Sequence, residues 1–175
     1  MQLLQNIKKY FYDSVLLQRG TARPTRTVVN IANAKTIGII YDASLPDHDI
    51  TITKFAEMLR NKGKTVEILA YTDDKKIDHK GDIKVINPTG INWYGIPKDE
   101  RVNTFCTQPF DLLLCALLTA SMPLEYIAYL SHAKYRVGLY DETKTRFYDL
   151  MIHTGERKDM GYLLQQMMSF LEKMK

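Results

Sequence analysis

The stretch Phe110–Asp141, FDLLLCALLTASMPLEYIAYLSHAKYRVGLYD, constrains the fold more than any other part of the chain. Leu112–Ala116 is a continuous apolar run of strand length, and such runs suit a parallel sheet covered on both faces. Thr119-Ala120-Ser121 follows as a loop of small residues. Pro123 fits a first helical turn, where its missing N–H costs nothing. Leu124, Ile127, Ala128 and Ser131 then supply the buried stripe of a helix that runs to about His132. Tyr135–Leu139 reads as another strand. Strand, helix and strand in this order form a βαβ unit, which puts the chain among α/β proteins.

The rest of the chain extends this pattern. Thr36–Tyr41 is a short β-branched apolar run and reads as a buried strand. Within residues 49–62, Ile52, Phe55, Ala56 and Leu59 recur at helical spacing; Asp47 or Asp49 suits the start as a cap, and Gly63 the end. Lys64–Tyr71 alternates as a strand does, Asp73–Lys80 is a charged turn, and Ile83–Ile86 is a short strand. Asn87–Arg101 breaks the period with two prolines, two glycines and the only tryptophan, Trp93, and is expected to be a long loop. Phe147–Ile152 reads as a further strand. Met160, Leu163, Leu164, Met167, Phe170, Leu171 and Met174 mark a final helix. At the other end, Leu3, Leu4, Ile7, Phe11 and Val15 give residues 3–17 the spacing of an amphipathic helix, and Gln18–Ala34 has the glycine and proline of a linker. The expected architecture is a single three-layer, Rossmann-like α/β domain over residues 36–175 with a mostly parallel sheet. An N-terminal amphipathic helix and basic linker at residues 1–35 precede it.

Composition narrows the function classes. A chain of 175 residues is long enough for one domain with a proper core. Its longest apolar run, Leu112–Leu118, falls far short of the ~20 residues of a membrane span. Asn6, Lys8 and Lys9 interrupt the first apolar residues, so no secretory leader is expected. Cys106 and Cys115 are too few for a disulfide framework, and a reducing, cytoplasmic setting is expected. Charge is uneven. Residues 1–35 hold Lys8, Lys9, Arg19, Arg23, Arg26 and Lys35 against Asp13 alone, more than the net +4 of the whole chain. Nucleic acid or an anionic membrane surface would answer such an asymmetry. The charges are spaced rather than clustered, however, which favours a solvated arm packed over its own domain.

In open parallel sheets, ligands bind beyond the carboxyl ends of the strands, where chain direction diverges. Asp42 and Ser44, Thr119 and Ser121, and Asp141 follow three of the expected strands and are the ligand-binding candidates. Helix N-termini after the first two strands suit an anion; capping and turn formation alone also account for these residue types. GxGxxG, GxxxxGK[ST] and GxSxG are all missing, and the four histidines are scattered, so no cofactor and no catalytic residue is indicated. Asp42, Asp47, His48 and Asp49 mix oxygens with an imidazole but match no standard metal spacing; a solvated, helix-capping turn is expected. Cys106 is expected to be unreactive, because a thiolate needs a positive, accessible setting. Trp93 and Tyr94 are the sharpest surface candidates, since aromatics in a Gly/Pro loop stack on ligands or partners; the alternative is that they plug the sheet edge. Arg19, Arg23 and Arg26 complete the interaction candidates.

With the strands placed, a resemblance emerges. Phe110-Asp111-Leu112-Leu113, residues 124–131, Ala133-Lys134-Tyr135-Arg136-Val137-Gly138, Tyr148-Asp149-Leu150-Met151-Ile152 and the loop Asn92-Trp93-Tyr94-Gly95-Ile96-Pro97 resemble a short uncharacterised bacterial family. The resemblance spans roughly residues 36–172. It implies a small cytoplasmic Rossmann-like domain and no established activity. Asp111 and Ala133–Gly138 are also similar, more weakly, to the N-terminal lobe of heptosyltransferase-like GT-B glycosyltransferases. Asp42-Ala43-Ser44-Leu45 stands where those enzymes have a Gly-Asp pair, and the second, nucleotide-sugar lobe has no counterpart before Lys175, so no catalytic residue is carried over.

The leading expectation is therefore a non-catalytic binding or protein-interaction domain. It would use the N-terminal helix, the linker and the Trp93 loop, with a second copy or another protein as partner. The alternatives are a small enzyme or nucleotide- or sugar-binding protein that uses the crevice, and an RNA- or membrane-surface protein that uses the basic arm.

Overall fold

Each apolar run becomes a strand of one sheet. The computed structural model describes residues 2–19, 25–81 and 83–174. In chain order the elements are α1 (Gln2–Arg19), β1 (Thr36–Asp42), α2 (Pro46–Asn61), β2 (Thr65–Tyr71), β3 (His79–Lys80), β4 (Ile83–Ile86), α3 (Glu100–Thr107), β5 (Leu112–Ala116), α4 (Met122–Leu130), β6 (Tyr135–Leu139), β7 (Leu150–Ile152) and α5 (Met160–Lys173). The seven strands lie in the order β3-β4-β2-β1-β5-β6-β7. Only the edge pair β3–β4 is antiparallel. β1 and β5 are parallel neighbours, with Ile37 opposite Leu112 and Tyr41 opposite Ala116.

Successive strand side chains point to opposite faces, so the sheet builds two cores. Ile37, Ile39, Leu112 and Leu114 pack with Ile52 and Leu59 of α2 and Leu163 and Met167 of α5. Ile40, Leu69, Leu113 and Cys115 pack with Leu16 of α1, Phe105 of α3 and Leu124 and Ile127 of α4. Helices shield both faces, which is why β5 is apolar at every position.

The residues behind the family resemblance hold the strands together. The Asp111 carboxylate, at the start of β5, accepts bonds from the backbone N–H groups of Lys35 and Thr36, the Thr36 hydroxyl and Lys134 Nζ. Burial works against its ionisation, yet the Lys134 bond and the two N–H groups outweigh burial and hold its pKa well below the usual carboxylate range. Arg136 on β6 donates to Asp149 through its backbone N–H, Nε and NH2, and through NH1 to the carbonyl of Ala128. Both side chains of that pair are 3% exposed, and Arg26 reaches Asp149 at 2.8 Å from the linker side.

Several local expectations change. The stretch taken as a loop to Arg101 contains a 3-10 turn at Pro88–Gly90, a bridge between Ile91 and Pro97, and the start of α3. Asp99 caps α3 by accepting from the N–H of Arg101; the helix has only two turns, and its buried residues Val102, Phe105 and Cys106 are too few to announce a period. α2 starts at Pro46, with Leu45 at the cap position and no side-chain cap bond, so Asp47 and Asp49 lie in its first turn instead of capping it. The charged turn ends in the two-residue strand β3, and the last strand covers only Leu150–Ile152. Of the expected linker, residues 27–34 pack onto the domain: Val29, Ile31 and Ala34 are buried, and the N–H groups of Thr27 and Ile31 donate to the carbonyls of Lys134 and Leu171.

Candidate functional site

After β1 the chain moves outward through β2 to β4, then returns through α3 to β5 on the other side of β1. The connections leaving β1 and β5 therefore diverge, and a crevice opens beyond their carboxyl ends. It holds a cavity of about 500 Å³. Asp42 from the end of β1, Tyr71 and Asp73 from the end of β2, and Thr119 and Ser121 after β5 line it. So do Asn92 and Gly95 of the Trp93 loop and Lys8 of α1.

The loop is held tightly against α4. Asn92 accepts from the N–H of Ile96 through its side chain, and its own N–H donates to the Ile96 carbonyl. Gly95 has φ +91, and a Cβ there would stand 3.1 Å from Cβ of Met122. Both its conformation and the space require glycine. α1 closes over the same point: the Tyr12 hydroxyl donates to the carbonyl of Met122 at 2.8 Å.

Ser121 stands at the amino end of α4, is 8% exposed, and makes no cap bond with its side chain. Among the described residues, its Oγ is the buried side-chain polar atom without a hydrogen-bond partner. A hydroxyl left in that state costs about 1–3 kcal/mol. Across the strands, Asp42 Oδ1 accepts from the N–H and hydroxyl of Ser44, at 2.9 and 2.6 Å. Ser44 Oγ also accepts from the N–H of Asp73, whose carboxylate receives the Tyr71 hydroxyl at 2.8 Å. Burial first, and the bond to Asp73 second, raise the Tyr71 pKa.

The structure thus brings Asp42, Thr119 and Ser121 to one cavity, with Ser44 tied to Asp42 beside it. Asp141 accepts from Thr143 through the backbone N–H and the hydroxyl, and with Glu125, Lys144 and Tyr148 lines a second space of about 90 Å³ that shares Thr119 and Ala120 with the larger cavity. Asp49 is occupied by the Tyr41 hydroxyl and Lys80 Nζ. Among the described residues, no three His, Cys, Asp or Glu side chains converge as metal ligands would. Cys106 is buried with its Sγ 3.7 Å from the carbonyl of Ile127, and burial pushes its thiol up to about 12. Tyr71 and Asp73 could have been found by the carboxyl-end rule, since β2 neighbours β1. Lys8 could not, because its position depends on how α1 crosses α4.

The Trp93 loop does not plug the sheet edge. Trp93 is 60% exposed and Tyr94 half-buried. Phe11 of α1 lies 5.4 Å from the Trp93 ring and 6.1 Å from Tyr94, and Trp93 meets Tyr94 edge-on at 5.1 Å. Leu3, Leu4, Ile7 and Tyr10 continue this exposed apolar surface along α1. The helix is anchored by its other side, where Tyr12 and Leu16 are buried. Arg19 and Arg26 are exposed, yet each has a partner on the domain, Arg19 the Tyr126 hydroxyl at 2.9 Å and Arg26 the carboxylate of Asp149. Arg23 lies outside the described residues.

No helix among the described residues is long and apolar enough to cross a membrane. A comparison with curated proteins returns no match. A family of unknown function, DUF6913, matches residues 5–174, and the chain belongs to that family.

Proposed function

We propose that this chain is a non-catalytic protein-interaction domain whose contact surface is the apolar face of α1 together with Trp93, and that this face pairs with a second copy of the chain. One observation carries the reading: Leu3, Leu4, Ile7, Tyr10, Phe11 and Trp93 form one exposed apolar surface on the side of α1 opposite Leu16. Six side chains of this size leave on the order of 600 Å² open, at the top of what monomers usually expose and near the ~800 Å² per partner of a standard interface. None of the six is charged, so within the patch itself self-pairing sets no like charges against each other, while Lys8 borders it. Arg19 and Arg26 each already engage a partner on the domain, the Tyr126 hydroxyl and Asp149, which favours the packed arm over a basic surface for nucleic acid.

In this reading α1 is the interaction arm, and residues 36–175 form a Rossmann-like domain that carries it, with Val29, Ile31 and Ala34 packed into the domain's core. With β3 set aside, the parallel strands run third, second, first, fourth, fifth, sixth, the order of dinucleotide-binding sheets. Fold alone does not bring that chemistry, and the glycine-rich turn it needs is missing after β1. Two buried free thiols suit a reducing, cytoplasmic setting.

Trp93 is the only tryptophan, so its emission reports the proposed contact directly. Raising the protein from about 1 to 100 μM, a span in which contacts of this size assemble, should shift the emission to the blue. Ile7→Asp should abolish the shift and leave the melting temperature at the lowest concentration, where neither protein pairs, unchanged. An emission maximum that stays constant across that range contradicts the reading.

A further inference from the structure

The smaller space, of about 90 Å³, lies beyond the carboxyl ends of β5 and β6. Polar groups from three segments meet there. Glu125 comes from the first turn of α4, Asp141 and Lys144 from the turn after β6, and Tyr148 from the approach to β7. The Glu125 side chain is 7% exposed and Tyr148 is 6% exposed. Lys144 Nζ donates to Oε2 of Glu125 at 2.8 Å, while Oε1 has no partner among the described residues. The Tyr148 hydroxyl has none either. Among the described residues, only Ser121 Oγ is both fully enclosed and unpartnered. Glu125 Oε1 and the Tyr148 hydroxyl are therefore not sealed in, and both residues line this space. Asp141 adds a further acceptor: Thr143 holds its Oδ1, and its Oδ2 has no partner among the described residues. Burial first, and then the negative groups around it, Glu125 and Asp141 among them, hold the Tyr148 pKa well above the usual phenol value. The hydroxyl thus stays protonated within reach of both carboxylates' fields.

The charges select among ligands. Two carboxylates stand against one lysine, and the positive end of α4 offsets only part of the Glu125 charge, so one more positive charge is favoured. The unoccupied acceptors are Oε1 of Glu125, Oδ2 of Asp141 and the Tyr148 oxygen. A primary ammonium group has one N–H donor for each. Leu117, Leu118 and Leu139 complete the wall and suit the methylenes that such a group carries. The volume equals about three waters of the liquid, which an ammonium group and a short alkyl stem would fill. We propose that this space binds a small primary alkylamine by its ammonium end, held by Glu125, Asp141 and Tyr148. A quaternary ammonium has no N–H to donate, and an alkali cation gains nothing from the leucine wall. This inference is independent of the pairing of α1.

The test follows the amide resonances of the full chain during titration with n-propylammonium chloride to about 50 mM, a range that covers millimolar dissociation constants. Potassium chloride and tetramethylammonium chloride at matched ionic strength serve as controls. The amides of Thr119, Ala120, Leu139 and Asp141 should move saturably with propylammonium and not with either control. Asp141→Asn and Tyr148→Phe should each weaken binding about tenfold, the weight of one hydrogen bond to a charged group. Asp141→Asn keeps Oδ1 for Thr143, and Tyr148→Phe keeps the ring beside Gly138. Because the Tyr148 hydroxyl has no partner, Tyr148→Phe should leave the unliganded melting temperature the same or higher. A lower one would show the hydroxyl engaged within the fold and would overturn the site. Ile7→Asp should bind propylammonium as the unaltered chain does, which separates this result from that for the α1 surface. Three further results each overturn the proposal: no amide moves saturably, a control salt moves the same amides equally, or both variants bind as the unaltered chain does.

Discussion

At position 138 a side chain has no room, because the buried ring of Tyr148 fills the space where one would start. A Cβ there would lie 2.7 Å from the ring. Gly138→Val should lower stability by about 1–3 kcal/mol or more through overpacking, read as a reduced urea midpoint. Asp149 is the partner of a buried guanidinium, so Asp149→Ala should cost about 3–5 kcal/mol by stranding Arg136. Asp111 adds a pH signature. Its folded pKa lies below the unfolded value of about 3.9. Its contribution is therefore complete above that value and fades as pH falls toward the folded pKa. Between about pH 4 and 2, Asp111→Asn should lose less stability than the unaltered chain, although it starts lower. Acid titration of the melting temperature of both proteins checks this. Asp111, Lys134, Arg136, Gly138, Tyr148 and Asp149 carry the family resemblance, and each serves the sheet. A pattern built from such residues identifies a fold and names no reaction.

At the scale of elements, α1 is the one whose two sides do different work. Leu16 is fully buried, and nine residues earlier, half a turn round, Ile7 faces outward. Leu16→Ala should destabilise by about 2–5 kcal/mol. Trp93→Ala should cost under about 1 kcal/mol, since its ring rests on Phe11 at the surface; a loss of about 3–5 kcal/mol would show that Trp93 belongs to the core. Chemical denaturation of the two variants makes the comparison. Helical spacing marked α1 clearly, but two apolar sides on one helix share a period, and nothing local tells which side the sheet will claim. α3 escaped notice for a different reason. Two turns between a proline loop and a strand leave too few apolar positions for a period, and Asp99 was the only start signal.

For the molecule as a whole, the sheet was legible because β1 and β5 are apolar runs of strand length that suit a shielded parallel sheet and β2 alternates as a strand does. The central placement of β1 beside β5 followed from the βαβ logic, and the structure shows that pairing. The candidate cavity was half legible. Asp42, Thr119 and Ser121 were reachable by the carboxyl-end rule, whereas Lys8 and Asn92 arrive through the path of α1 and the Trp93 loop over α4. Asp141 lines the smaller space next to it, where Thr143 occupies its Oδ1 as Ser44 occupies that of Asp42. The proposed function rests on the surface that these same two segments build together. Sedimentation equilibrium of the full chain beside Ile7→Asp examines it most directly. The account predicts an unaltered chain that approaches twice the single-chain mass as concentration rises and a variant that stays at the single-chain mass, the two sharing one melting temperature at high dilution. Equal single-chain masses for both proteins at every concentration would contradict it.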